Sequence, residues 1–87
     1  MIKNGLEIDS SGNKFWYKND KLHREDGPAI EYVSGHKHWF IEDMWHREDG
    51  PAIEWPNGDF YWFIDGKEIE VSSNEEFLRL VKLKAFI

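Results

Sequence analysis

The chain has no cysteine. No disulfide staples the fold, and no thiol is present to act as a nucleophile or metal ligand. Also missing is any apolar run near the roughly 18 residues that mark a membrane-spanning helix. The opening residues, Met1-Ile2-Lys3-Asn4-Gly5, contain no apolar core of a secretion signal. Together these absences predict a cytoplasmic protein. Positive charge is in deficit, with 11 Lys and Arg against 17 Asp and Glu, a net of −6. That balance argues against direct binding to nucleic acid or to an anionic membrane, both of which need a positive field, and it favours a basic protein partner. No glycine-rich phosphate loop with its Lys and Ser/Thr occurs, and nothing else in the chain suggests a cofactor.

What is abundant is aromatic side chains, 16% of the 87 residues, with five tryptophans. A chain this short is one domain and buries only roughly 60–65% of its unfolded surface, so each large apolar residue matters. Each ring can bury roughly 150–250 Å² in a core, and Trp and Tyr are also the preferred anchors of interfaces. Composition alone does not choose between these uses.

The dominant feature is internal repetition. His23-Arg24-Glu25-Asp26-Gly27-Pro28-Ala29-Ile30-Glu31 recurs unchanged 23 residues later, from His46 to Glu54. The same offset carries Trp16 to Trp39 and Trp62, Tyr17 to Phe40 and Phe63, Tyr32 to Trp55, and Ser11-Gly12 to Ser34-Gly35 and Asn57-Gly58. The copies span about residues 9–31, 32–54 and 55–69, and the third fades after Asp65-Gly66. Such self-similarity marks a repeat architecture.

Each copy reads as strands and turns. Lys37-His38-Trp39-Phe40-Ile41 is aromatic and β-branched, as strands prefer. Asn19-Asp20, Glu42-Asp43 and Asp65-Gly66 end the equivalent strands, and only the last is a strong two-residue hairpin signal. Gly27-Pro28 and Gly50-Pro51 predict a bend or bulge, because glycine can take positive φ and proline cannot donate to a ladder. The expected fold is mainly β, a single antiparallel meander that grows by one hairpin per copy. Residues 1–8 suit either an initial strand (Gly5 to Asp9) or a partly ordered tail. Ser73 followed by Glu76 has capping-box spacing, and Phe77, Leu80 and Val81 share one face, which predicts a helix over about 74–83. The alternation Val81, Leu83, Ala85, Ile87 fits a short final strand instead.

Strand alternation sorts the rings into two faces. Phe15 and Tyr17, His38 and Phe40, and Tyr61 and Phe63 lie on one. Trp16, Trp39 and Trp62 lie on the other, which changes from lysine-flanked in copy one to apolar in copy three. A helix of about ten residues is roughly 15 Å long and cannot cover a meander of this width, so it should sit over copy three and leave aromatic surface open. The expected partner-contact set is Phe15, Tyr17, His38, Phe40 and Tyr61, rimmed by the acidic pairs Glu25-Asp26, Glu42-Asp43 and Glu48-Asp49. The competing expectation is that the sheet curls until its rings bury one another.

His23 and His46 each precede an aspartate by three residues, but the copies stand about 10 Å apart, whereas zinc gathers its ligands within about 2 Å. The expected role is structural: the histidine braces that aspartate or the backbone freed at the Gly-Pro bend. Tandem copies spread identical groups along a line, while catalysis gathers different groups in one place, so no enzyme activity, catalytic residue or metal site is expected.

The unit resembles the variant MORN repeats, through His23, Arg24, Asp26, Gly27, Pro28 and Ala29 and through His46, Arg47, Asp49, Gly50, Pro51 and Ala52, and more loosely Trp16, Trp39 and Trp62. The resemblance covers about residues 9–69 and implies a single-sheet stack of hairpins. Short members are similar to the small proteins with which phages and mobile elements block a host enzyme. It implies an antagonist acting in the host cytoplasm on a protein partner, such as a basic nucleic-acid-handling enzyme. The alternatives are a scaffolding repeat that self-associates into a homo-oligomer and an acidic mimic of nucleic acid.

Overall fold

The computed structural model describes residues 2–84. Its elements are β1 (Gly5–Ile8), β2 (Lys14–Lys18), β3 (Lys21–Leu22), β4 (Ile30–Glu31), β5 (Lys37–His38), β6 (Phe40–Ile41), β7 (Met44–Trp45), β8 (Ile53–Glu54), β9 (Phe60–Ile64), β10 (Lys67–Ile69) and α1 (Asn74–Leu83). The fold is mainly β, an antiparallel meander with one C-terminal helix. Strands pair in the order β1-β2-β4-β5-β8-β9-β10, with β3 also on β2, while β6 and β7 form a hairpin. That hairpin is bonded to its neighbours: the Arg24 N–H donates to the Phe40 carbonyl and the Gly66 N–H to the Trp45 carbonyl.

Each return strand is broken in the middle, and the break is defined by hydrogen bonds. The Trp16 N–H donates to the Ala29 carbonyl at 2.8 Å, and the Trp16 carbonyl accepts from the His23 N–H at 3.0 Å. Trp39 repeats this with Ala52 at 2.7 Å and His46 at 3.1 Å. His23 and Ala29 thus both flank Trp16, and residues 24–28 leave its ladder as a loop, Arg24 keeping only its N–H bond to Phe40 on the far side. Residues 47–51 do the same beside Trp39. The expected bend is therefore a large excursion that keeps both neighbouring strands paired.

All three two-residue turns take positive φ at both positions, including Glu42 at 48° and Asp43 at 65°. A left-handed non-glycine residue costs roughly 1–2 kcal/mol. Hydrogen bonds offset that here. The Glu42 N–H donates to Nδ1 of His23, the Asp43 N–H donates to the Leu22 carbonyl, and the Asp43 carboxylate accepts from the Leu22 N–H. The other weak-looking turn is held by the N-terminal segment, the Asp20 N–H donating to the Lys3 carbonyl and the Asn19 N–H to the Asn4 amide oxygen.

The two ends are closed differently. β1 is an unbroken strand paired along β2, Leu6 opposite Trp16. At the other end the helix begins where the loop of a third copy would lie, and Asn74 occupies the place of Pro28 and Pro51. Ser73 caps the helix by accepting from the Glu76 N–H, while the Glu76 carboxylate reaches back to the Ser72 N–H. Lys84 ends it in the left-handed region. Val81 and Leu83 are helical, which removes the alternative of a final strand through them; Ala85 and Ile87 lie outside the described residues.

The core is divided accordingly. Ala29, Ile30 and Phe40 are buried together, with Phe15, Leu22 and Trp45 against them. Trp62, Ile64 and Phe77 form a second cluster, with Ile69, Val71 and Val81 against them. The helix thus packs on the tryptophan face over copy three.

Candidate functional site: an uncovered aromatic sheet face

The pairing register fixes which side chains share a face. Ile30 stands opposite Phe15 and His38, Ile53 opposite His38 and Tyr61, Trp45 opposite Phe40, and Leu22 opposite Tyr17. Tyr32 and Trp55, two residues beyond Ile30 and Ile53, project to the same side and touch its rings. No element among the described residues packs over this face. The rings instead lean on one another in a ladder across the strands. Phe15 meets Tyr32 edge-on at 6.2 Å, Tyr32 meets His38 at 5.7 Å, Phe40 stacks on Trp45 at 5.4 Å, and Trp45 meets Phe63 at 5.2 Å.

Mutual cover leaves the face half-buried rather than fully open. Phe15, Tyr17, His38 and Tyr61 are half-buried. Phe40 is 9% exposed and belongs to the core, which corrects its expected place on a contact surface. On this face the most open rings are Tyr32 at 37% and Trp55 at 39%, neither of which sequence reasoning assigned to the site. His38 accepts the indole N–H of Trp45 on Nδ1 at 3.0 Å. Burial, and secondarily the nearby His36, hold the His38 imidazole below its usual range, so it is kept neutral.

The acidic pairs do not rim this face. Residues 24–28 and 47–51 fold onto the opposite side, where each arginine lies on a tryptophan. The Arg24 guanidinium is 3.9 Å from the Trp16 ring, and Arg47 is 3.9 Å from Trp39. Arg47 also donates to the Asp49 carboxylate at 2.8 Å, the Pro51 carbonyl at 3.1 Å and the Glu54 carboxylate at 2.7 Å. Arg24 has the same partners in Asp26, Pro28 and Glu31. Gly27 and Gly50 are needed for space and not for positive φ: a Cβ there would lie 2.9 Å and 2.8 Å from the guanidinium carbons. The histidines also depart from expectation. His23 and His46 bond Glu25 and Glu48 through Nε2 and accept turn N–H groups of the next copy on Nδ1, leaving the aspartates to the arginines.

Between the two loops runs a groove of about 840 Å³ floored by Trp39 and Ile41. Each loop with its closing glutamate carries one arginine and three carboxylates, so the two together contribute −4 against the chain's −6. Glu25, Asp26, Glu48 and Asp49 are well exposed. Glu42 and Asp43 belong to neither face; they form the hairpin turn. The expected contact set is thereby split into an aromatic side and an acidic side. No protein-family model, curated protein or solved structure matches this chain.

Proposed function

We propose that this protein is a binding module that captures another protein through the aromatic face and acts by covering that partner's surface, as an antagonist of an enzyme does. One observation carries the reading: the helix covers part of one sheet face, and the other carries an aromatic ladder with no element among the described residues over it. Domains bury apolar sheet faces between two layers, so the second layer is supplied from outside. Tyr32 and Trp55 are open rings of the type that anchors interfaces. The test is affinity purification from the native host with the wild-type protein and with a Tyr32→Ser, Trp55→Ser variant, checked by circular dichroism for an unchanged fold. A partner retained by the first and lost by the second is expected. Equal retention of the partner would overturn the reading.

A second reading, the acidic mimic of nucleic acid, draws on the charge gathered on the tryptophan side. It predicts capture of a basic protein that weakens steeply with salt, survives loss of Tyr32 and Trp55, and fails in Asp26→Asn, Asp49→Asn.

A further inference from the structure

We infer that in the free protein the aromatic face is closed by a second copy of this chain, which a captured partner displaces, the two sheets stacked face to face about a two-fold axis parallel to the strands. This rests on the reading of that face as a docking surface and names what occupies it before the partner binds.

Size is sufficient. The molecule extends 40 × 29 × 17 Å, and its broad face exceeds the roughly 800 Å² per partner that stable complexes bury. Charge permits the approach. Between the ends of the face, strand positions pointing outward hold only aromatic, aliphatic and histidine side chains, while the two acidic loops lie on the far side. Two copies can therefore meet with most of their negative charge turned away.

The two ends of the face can share a cation. At the first end the Lys3 ammonium lies 4.9 Å from the Tyr17 ring and 3.8 Å from the carboxylate of Glu7, which stands opposite Phe15 on the same face. At the other, Glu68 stands opposite Phe63 and shares its face. Tyr17 and Phe63 are the same position in copies one and three. A two-fold axis along the strands keeps height along the strand and exchanges the ends. Copy one then lies over copy three, Lys3 of each chain comes to lie between its own Glu7 and Glu68 of the other, and copy two meets copy two through Tyr32 and Trp55. An isologous interface of this kind closes as a dimer and does not propagate.

Sedimentation equilibrium from micromolar to millimolar concentration tests this. A reversible dimer is expected for the wild type and a monomer for Tyr32→Ser, Trp55→Ser with an unchanged circular dichroism spectrum. Glu68→Lys should weaken the dimer by about tenfold, as lost and reversed rim ion pairs do, and Lys3→Glu added to it should restore affinity. A monomer throughout, or a dimer indifferent to both the ring and the charge changes, overturns the inference. If the monomer still captures a host partner through Tyr32 and Trp55, the docking reading survives without the second copy. If it captures none, both fall.

Discussion

Gly50→Ala isolates the arginine–tryptophan stack from backbone effects. Gly50 does not have positive φ, so alanine is conformationally acceptable there. The new methyl would instead sit 2.8 Å from the guanidinium carbon of Arg47 and 3.1 Å from two of its nitrogens. Arg47 must then lift off Trp39. The stack is worth about 1 kcal/mol in a partly exposed setting. The hydrogen bonds to Glu54 and the Pro51 carbonyl add about 1–2 kcal/mol after solvent screening, and the bond to the open Asp49 adds little. Replacing glycine returns about 0.5 kcal/mol through the unfolded chain. The expected net loss is about 2 kcal/mol, a Tm drop on the order of 10 °C for a domain of this size. Urea unfolding followed by tryptophan fluorescence measures it. The same change made in an Arg47→Ala background should cost nothing or stabilise slightly, because the obstruction has gone. A penalty that persists there would show that Gly50 answers to something other than the arginine.

Other consequences are equally direct. Because the His38 imidazole is held below its usual range in the folded state, the unfolded chain takes up its proton first as pH falls; stability should be full above about 6.5 and decline below it. His38→Gln should flatten that part of the profile, measured as urea midpoints at stepped pH. Asn74→Ala removes the acceptor of the Trp62 indole N–H at 3.0 Å, and a mostly buried donor left unpaired should cost about 1–2 kcal/mol by the same unfolding assay. Insertion of one more 23-residue unit between copies two and three should give a folded protein with a larger urea m-value, because each copy contacts only its neighbours; an insertion that unfolds the chain would refute the modular reading.

The repeat period, the three aromatic strands and the helix were legible because each is a local pattern. A 23-residue identity needs no geometry to be seen, and Ser73 with Glu76 marks a helix start in any context. The site was legible only as far as parity could be carried. Strand alternation places Phe15, His38 and Tyr61 on one side, but parity is lost across a five-residue loop, so Tyr32 and Trp55 could not be assigned to that side from sequence. For the same reason the acidic pairs were expected at the rim of a face to which they turn their backs. The match of Arg24 to Trp16, eight residues apart across a hairpin and a loop, has no signature in spacing; only the shared offset of both residues hinted that they serve one another.

The nine-residue block that repeats without change is accounted for inside the molecule. The histidine holds the next turn, the arginine is fixed by tryptophan, aspartate, glutamate and the proline carbonyl, the glycine makes room, and Ala29 and Ala52 are fully buried. A block so occupied has little left to offer a partner, which is why identity between copies is a poor guide to the site. Information about a partner has to lie where the copies differ at equivalent positions. On the tryptophan face the differences, Lys14, Lys37 and Phe60 and then Lys18, Ile41 and Ile64, follow the helix that packs over copy three; on the aromatic face they have no such cause: Phe15, His38 and Tyr61 in one row, Tyr17, Phe40 and Phe63 in the next, Tyr32 and Trp55 in the third. A stack that merely had to hold itself together could have repeated one ring in each row. The variation among rings of different shape, on the side that no element among the described residues covers, is what a surface fitted to a particular counterpart requires.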